Sequence, residues 1–154
     1  MQTEVDELWM REALAEARRA AAIGEVPIGA VIVREGEAIG RGYNRREIDR
    51  DPLAHAEILA IRQAAERIGG WRLTECTMYV TLEPCAMCAG ALVNSRVERL
   101  VWAAPDHKAG WCGTLGNLVQ DARLNHRLAM TTGVLEAESA ALLRGFFASL
   151  RKGS

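Results

Sequence analysis

Apolar residues recur at Val5, Leu8, Trp9, Ala13, Ala17, Ala20 and Ile23, close to a 3.6-residue period, and Gly24 stands where a helix stops. This predicts a first helix. Val26-Pro27-Ile28-Gly29-Ala30-Val31-Ile32-Val33 is apolar and β-branched, Arg34-Glu35-Gly36-Glu37 is turn-like, and Ala38 to Tyr43 runs back beside it as a hairpin. Asp51-Pro52 then supplies a cap and a first-turn proline for a helix over 52–68, whose stripe is Ile58, Ile61, Ala65 and Ile68 and whose end is Gly69-Gly70.

Thr77 to Leu82 reads as a strand, Pro84 opens a helix to about Ser95, and Arg99 to Ala103 reads as a further strand. Strand, helix and strand at this spacing make a parallel pair with a crossover. Residues 105–117 are rich in glycine and polar groups, Leu128 to Thr132 fits a last short strand, and Glu136 to Arg151 has helical periodicity. The sum is an α/β fold, a three-layer α/β/α sandwich around a mixed sheet of about five strands. The hairpin is antiparallel and the rest largely parallel. No repeat, linker or low-complexity segment divides the chain, so residues 1–154 read as one domain.

Composition sharpens this reading mainly by exclusion. At 49% hydrophobic and 25% charged, the chain is an ordinary globular one, and 19 basic against 20 acidic residues leave a net charge of -1. No global basic field marks a nucleic-acid coat, so any such contact is local. Arg41, Arg45, Arg46 and Arg50 cluster, but Glu47, Asp49 and Asp51 offset them, as in a solvated loop. The acidic amino terminus and the lack of an apolar run of about 20 residues imply a cytoplasmic protein. In that compartment the four cysteines, Cys76, Cys85, Cys88 and Cys112, read as buried thiols, metal ligands or redox groups rather than disulfides.

The chemistry concentrates in His55-Ala56-Glu57 and Pro84-Cys85-Ala86-Met87-Cys88, both in the first turns of predicted helices. Cys85 and Cys88, three apart, face the same way, and a helix amino terminus favours the thiolate form that a metal needs. With His55 as third ligand, one nitrogen and two sulfurs suit tetrahedral Zn2+ and leave a fourth position open, as in catalytic sites. Glu57 lies about 200° round a regular helix from His55 and is therefore no ligand, but at a helix end its carboxylate reaches the zinc-activated water as a proton shuttle. Two other readings stay open. Cys112 or Cys76 as fourth ligand would close the site into a non-catalytic zinc or RNA-binding module, and the Cys-x-x-Cys alone fits a thiol redox site.

His-x-Glu followed by Pro-Cys-x-x-Cys resembles the signature of the zinc-dependent nucleobase deaminases. Further segments extend the likeness to the bacterial tRNA-specific adenosine deaminases: Glu25 to Val31, Tyr43-Asn44-Arg45, Asp51 to Glu57, Val80 to Ala91, Asp106 to Gly110, Asn125-His126-Arg127 and Phe146-Phe147. Trp111-Cys112 departs from the small residues usual there. The resemblance implies a cytidine deaminase-like fold and a homodimer. It also implies hydrolysis of adenosine to inosine at the wobble position of a tRNA anticodon, with water attacking C6 of adenine. Glu57 would move the protons, and backbone N–H groups opening the Cys88 helix would support the developing charge. Asn44 would hold the target nucleotide, with Asp106, Lys108, Asn125, Phe147 and Arg151 on the RNA-facing rim. Phe146 and Phe147 diverge by about 100°, leaving one ring free to stack on an unpaired base. The zinc signature is equally shared by deaminases of free nucleobases or nucleosides such as cytosine or guanine, which stand as the alternative within enzymes.

Overall fold

A computed structural model describes residues 1–153. In chain order it comprises α1 (Gln2–Ala22), β1 (Gly29–Arg34), β2 (Glu37–Tyr43), α2 (Ala56–Ile68), β3 (Cys76–Leu82), α3 (Ala86–Asn94), β4 (Arg99–Ala104), a 3-10 turn (Leu118–Gln120), β5 (Ala129–Thr132) and α4 (Glu136–Gly153). The five strands form one sheet in the order β2-β1-β3-β4-β5. The β3–β4 and β4–β5 pairs are parallel, as the crossover spacing predicts. β1, however, is antiparallel to β3 as well as to β2, so it alone opposes the other four strands. The α2 crossover explains this: it carries the chain from β2 to a strand running the same way, with β1 between them.

Alternation along the strands divides the core into two layers. Ile32, Met78, Val80, Leu100 and Trp102 pack under α2 and α3 with Ala60, Ala64 and Leu92. Val31, Val33, Tyr79, Val101 and Ala103 pack with Met10 and Ala13 of α1, and Val134 and Leu135 join them beside α4. The expected three-layer α/β/α sandwich results.

Two local expectations change. The buried face of α1 runs through Asp6, Met10, Ala13, Leu14, Ala17 and Ala20, whereas Val5, Leu8 and Ile23 are exposed. The pattern misplaced the stripe because it excluded Asp6, whose carboxylate is buried by its partners: Arg99 Nη1 and Nη2 donate to it at 2.8 and 2.6 Å, and Tyr79 Oη donates at 2.8 Å. Asp51-Pro52 does not open α2. Asp51 instead closes a turn, its Oδ1 accepting the Leu53 N–H and its carbonyl the Ala54 N–H, and α2 starts at Ala56 with His55 as its cap. Helix α2 lies low on the sheet because Gly40 and Gly42 carry no side chain. A Cβ at either would stand 2.3 Å from a carbonyl oxygen of α2, Ala60 and Ala56 respectively.

Burial raises the pKa of Asp6, but the bonds from Arg99, Tyr79 and Gln2 outweigh it and hold the carboxyl below its ordinary 3.8. A carboxylate with a lowered native pKa stabilises the fold above its unfolded value and loses that contribution as pH falls through the native one. Asp6→Asn is therefore expected to lower stability at pH 7 by about 2 to 3 kcal/mol, the scale of hydrogen bonds to a charged group. Its deficit should shrink below pH 3.8 as the wild type loses the same contribution, measured by urea unfolding across pH.

Candidate metal centre and pocket

His55 and Cys85 occupy equivalent places, each the cap residue of a helix with extended backbone, at φ -79° and ψ 151° for His55 and φ -74° and ψ 178° for Cys85. Neither side chain spends an acceptor on its helix, so both stay available for another partner. Cys88 follows in the first turn of α3. His55 Nδ1 stands 3.6 Å from Cys85 Sγ and 3.6 Å from Cys88 Sγ, and the three donor atoms all lie within 4.8 Å of one another, a group able to hold a metal ion. Cys112 and Cys76, both buried free thiols, are not part of this group, and burial raises the pKa of each.

The three donors do not hold their protons equally, and Cys85 gives its proton up most readily. The Cys88 thiol, donating to Cys85, holds the Cys85 thiol down to about 4 against the opposing effect of burial, and His55 adds to the lowering. The same bond, together with burial, pushes Cys88 up. His55 is raised by its bond to Cys85 despite burial, and by the nearby charge of Glu57. Two helix amino termini add positive potential, and metal binding requires deprotonated ligands.

Because His55 is outside α2, the 200° separation of a regular helix does not apply to it and Glu57. Glu57 is 4% exposed, and burial pushes its carboxyl up to about 7, partly offset by a backbone N–H. It shares with His55 and Cys85 the floor of a cavity of about 600 Å3.

Asn44, Asp106, Lys108 and Phe147 line this cavity. Asn44 is buried, its Nδ2 donating to the Val26 carbonyl at 3.3 Å and its Oδ1 accepting the Arg46 N–H at 3.2 Å, so it also closes the end of β2. Asp106 Oδ1 accepts the N–H groups of Lys108 and Ala109, a turn within the wall. Phe147 is 42% exposed while Phe146 is half-buried, the rings meeting edge to face at 5.5 Å, so the adjacent pair divides as its helical offset requires. Asn125 and Arg151 are exposed and do not line the cavity. Asn125 lies at the far end of the sheet: its neighbour His126 sits 2.7 Å from the Val97 carbonyl, ahead of β4, whereas the cavity opens beyond the end of β4 at Pro105.

Sequence reasoning missed Leu143 and Arg46, which also line the cavity. Leu143 was findable four residues before Phe147, on the same helical face. Arg46 was read with its neighbours as part of a solvated loop, and it is exposed beside Glu47 even as it borders the cavity, while Arg45 is half-buried and bonded to Asp49 at 3.0 Å. Arg41 instead joins Glu12 and Glu16 of α1. Glu25, 2% exposed, was also overlooked: it accepts the N–H groups of Glu47 and Ile48 and so fixes the loop carrying Asn44 and Arg46.

Residues 4–151 match the family model of the MafB19-like deaminases. The chain is 54% identical over 147 residues to the tRNA-specific adenosine deaminase of Bacillus subtilis (strain 168), covering 96% of this chain and 91% of that protein. A solved structure from work on A-to-I editing by tRNA:A34 deaminases at the wobble position superimposes with a TM-score of 0.83 at 43% identity, over 87% of this chain and 97% of that one. A guanine deaminase from Nitrosomonas europaea gives a TM-score of 0.79 at 31% identity, over 92% and 84%.

His55→Ala, Cys85→Ala and Cys88→Ala are each expected to lose stoichiometric metal, whereas Cys112→Ala keeps it. Metal content after exhaustive dialysis, read by elemental mass spectrometry, checks all four.

Proposed function

The chain belongs to the tRNA-specific adenosine deaminases, within the MafB19-like deaminase family, and from that premise we infer that it hydrolyses adenosine to inosine at the wobble position of a tRNA anticodon. The observation that carries this reading is the 54% identity to a tRNA-specific adenosine deaminase, sustained over 96% of this chain. The alternative, deamination of a free base such as guanine, shares the fold over as much as 92% of this chain, but the guanine deaminase structures stand at 31% and 38% identity against 43% for the structure from tRNA:A34 deaminases.

We propose that His55, Cys85 and Cys88 hold zinc. The separation of 3.6 Å between nitrogen and each sulfur supports it. Bond lengths of about 2.1 Å to nitrogen and about 2.3 Å to sulfur at a tetrahedral angle give about 3.6 Å. When bound there, zinc supplies Lewis-acid activation of water. Glu57 carries the protons. Its carboxylate accepts one proton from the attacking water as the new C6–O bond forms and delivers it to the adjacent ring nitrogen; it then takes the remaining proton from the C6 hydroxyl and passes it to the exocyclic amine, which leaves as ammonia as the C6–N bond breaks and the C6 carbonyl forms. A carboxyl at about 7 is matched to giving and taking a proton near neutrality. Backbone N–H groups opening α3 face the charge that develops on the ring.

Asn44 orients the nucleotide. One of its amide hydrogens is engaged by Val26, which leaves the second for the substrate. Asp106 and Lys108 meet the RNA at the cavity rim, and Phe147 offers the exposed ring for stacking on an unpaired base. Asn125 and Arg151 would contact RNA outside the cavity. An anticodon base is already outside a duplex, so drawing it in costs little and a near-neutral protein suffices. We propose one deaminase domain acting as a homodimer in the cytoplasm, where tRNA is found. The exposed Ile48, Leu53, Trp111 and Leu115 leave apolar surface for a second copy to cover, and among the described residues no helix is long and apolar enough to cross a membrane.

Incubation with an anticodon stem-loop bearing the wobble adenosine should yield inosine, while turnover of free guanine or nucleosides alone would reject the RNA reading. Glu57→Ala should retain zinc while turnover of the stem-loop falls by about 100- to 10,000-fold, measured by inosine formation. Unchanged activity would remove Glu57 from proton transfer.

A further inference from the structure

We propose that Glu83 is a positioning residue: it locks the cavity wall at 106–114 to the segment bearing Cys85 and so governs substrate binding, taking no part in proton transfer. This rests on the deaminase reading above. Glu83 ends the β3 connection two residues before Cys85, is 2% exposed, and lies on the cavity lining.

Four donors converge on its carboxylate. The Asp106 N–H reaches Oε1 at 3.0 Å, and the Thr114 hydroxyl reaches the same oxygen. The N–H groups of Cys112 and Thr114 reach Oε2 at 3.0 and 2.9 Å. An ionised carboxylate has about four lone-pair sites, so these partners saturate it and none remains for a substrate proton. Glu57, the other buried carboxylate of the cavity, has no such set of donors and is the one free to exchange a proton.

The bonds pin both ends of the wall. Asp106, held by its N–H, uses its own side chain to fold Lys108 and Ala109 into a turn. Beyond it, Trp111 N–H donates to the Pro84 carbonyl at 2.9 Å, and Gly110 bridges Cys85. The wall is thus registered on three consecutive residues, Glu83, Pro84 and Cys85. Gly110 makes room for this: a Cβ there would stand 2.4 Å from the Glu83 carboxyl carbon and 2.6 Å from the Asp106 carbonyl oxygen. Since Asp106 and Lys108 ride on the wall, a displaced wall weakens the grip on substrate while leaving Glu57 and the three ion donors in place.

The test compares wild type, Glu83→Gln, Thr114→Val and Thr114→Ser on the anticodon stem-loop, with zinc content and amide hydrogen exchange measured on each. Glu83→Gln replaces one acceptor oxygen with an amide group. It should keep zinc and change kcat little, raise KM by about 10- to 100-fold, and speed exchange at Cys112 and Thr114 by a similar factor, as expected for the loss of charge-assisted bonds. Thr114 is exposed, so Thr114→Val tests the same clamp without threatening the fold even if Glu83→Gln does not fold; it should move KM and exchange the same way by less, and Thr114→Ser should restore both. A collapse of kcat at unchanged KM, loss of zinc, or unaltered KM and exchange would each overturn the proposal. A wild type inactive on the stem-loop would defeat the substrate reading instead, and the exchange rates would still decide whether Glu83 holds the wall.

Discussion

One nitrogen and two sulfurs meet within 4.8 Å of one another, and they come from cap residues and first turns of two different helices. Two helix amino termini therefore have to converge at the same end of one sheet. The sandwich meets this requirement by letting β1 oppose its neighbours, so that the chain leaves both β2 and β3 at that end before turning into α2 and α3. The glycines at 40 and 42 bring α2 down onto the strands. Raising that helix by the width of a methyl group would carry His55 away from the sulfurs.

Buried carboxylates divide the labour around this point by how many donors each one meets. Asp6 is surrounded by Arg99, Tyr79 and Gln2 and stays charged, tying α1 to β3 and β4. Glu25 is taken up by two backbone N–H groups of the loop after Asn44. Glu57 is equally buried but lacks such a surround, and its affinity for a proton rises to match neutral water. Burial alone does not assign a carboxylate its task; the number of hydrogen-bond donors facing it does.

Much of the fold was legible because its signals are local. The β-branched run at 29–33, the turn at 34–37 and the glycines closing α2 are readable residue by residue, as are His55, Cys85 and Cys88, whose residue types and spacing suit metal ligation. What escaped depends on partners distant in sequence. Asp6 looked like a solvent residue until Arg99, 93 positions away, was placed beside it. Asp51-Pro52 carries a sound helix-start pattern, yet the same oxygen that caps helices also closes turns, and the turn prevailed here. The direction of β1 relative to β3 follows from the length of an intervening crossover and leaves no mark on either strand.

The cavity is bounded on one side by the chain's last helix. Leu143 and Phe147 line it from α4, whose outer residues, Arg144, Gly145 and Ser149 among them, are exposed, whereas His55, Cys85 and Cys88 sit at the amino ends of α2 and α3. The architecture thereby separates two evolutionary variables. Substitutions along the outer helix can reshape which purine fits without disturbing the buried reaction centre, so one scaffold can diversify its substrates while its chemistry stays fixed.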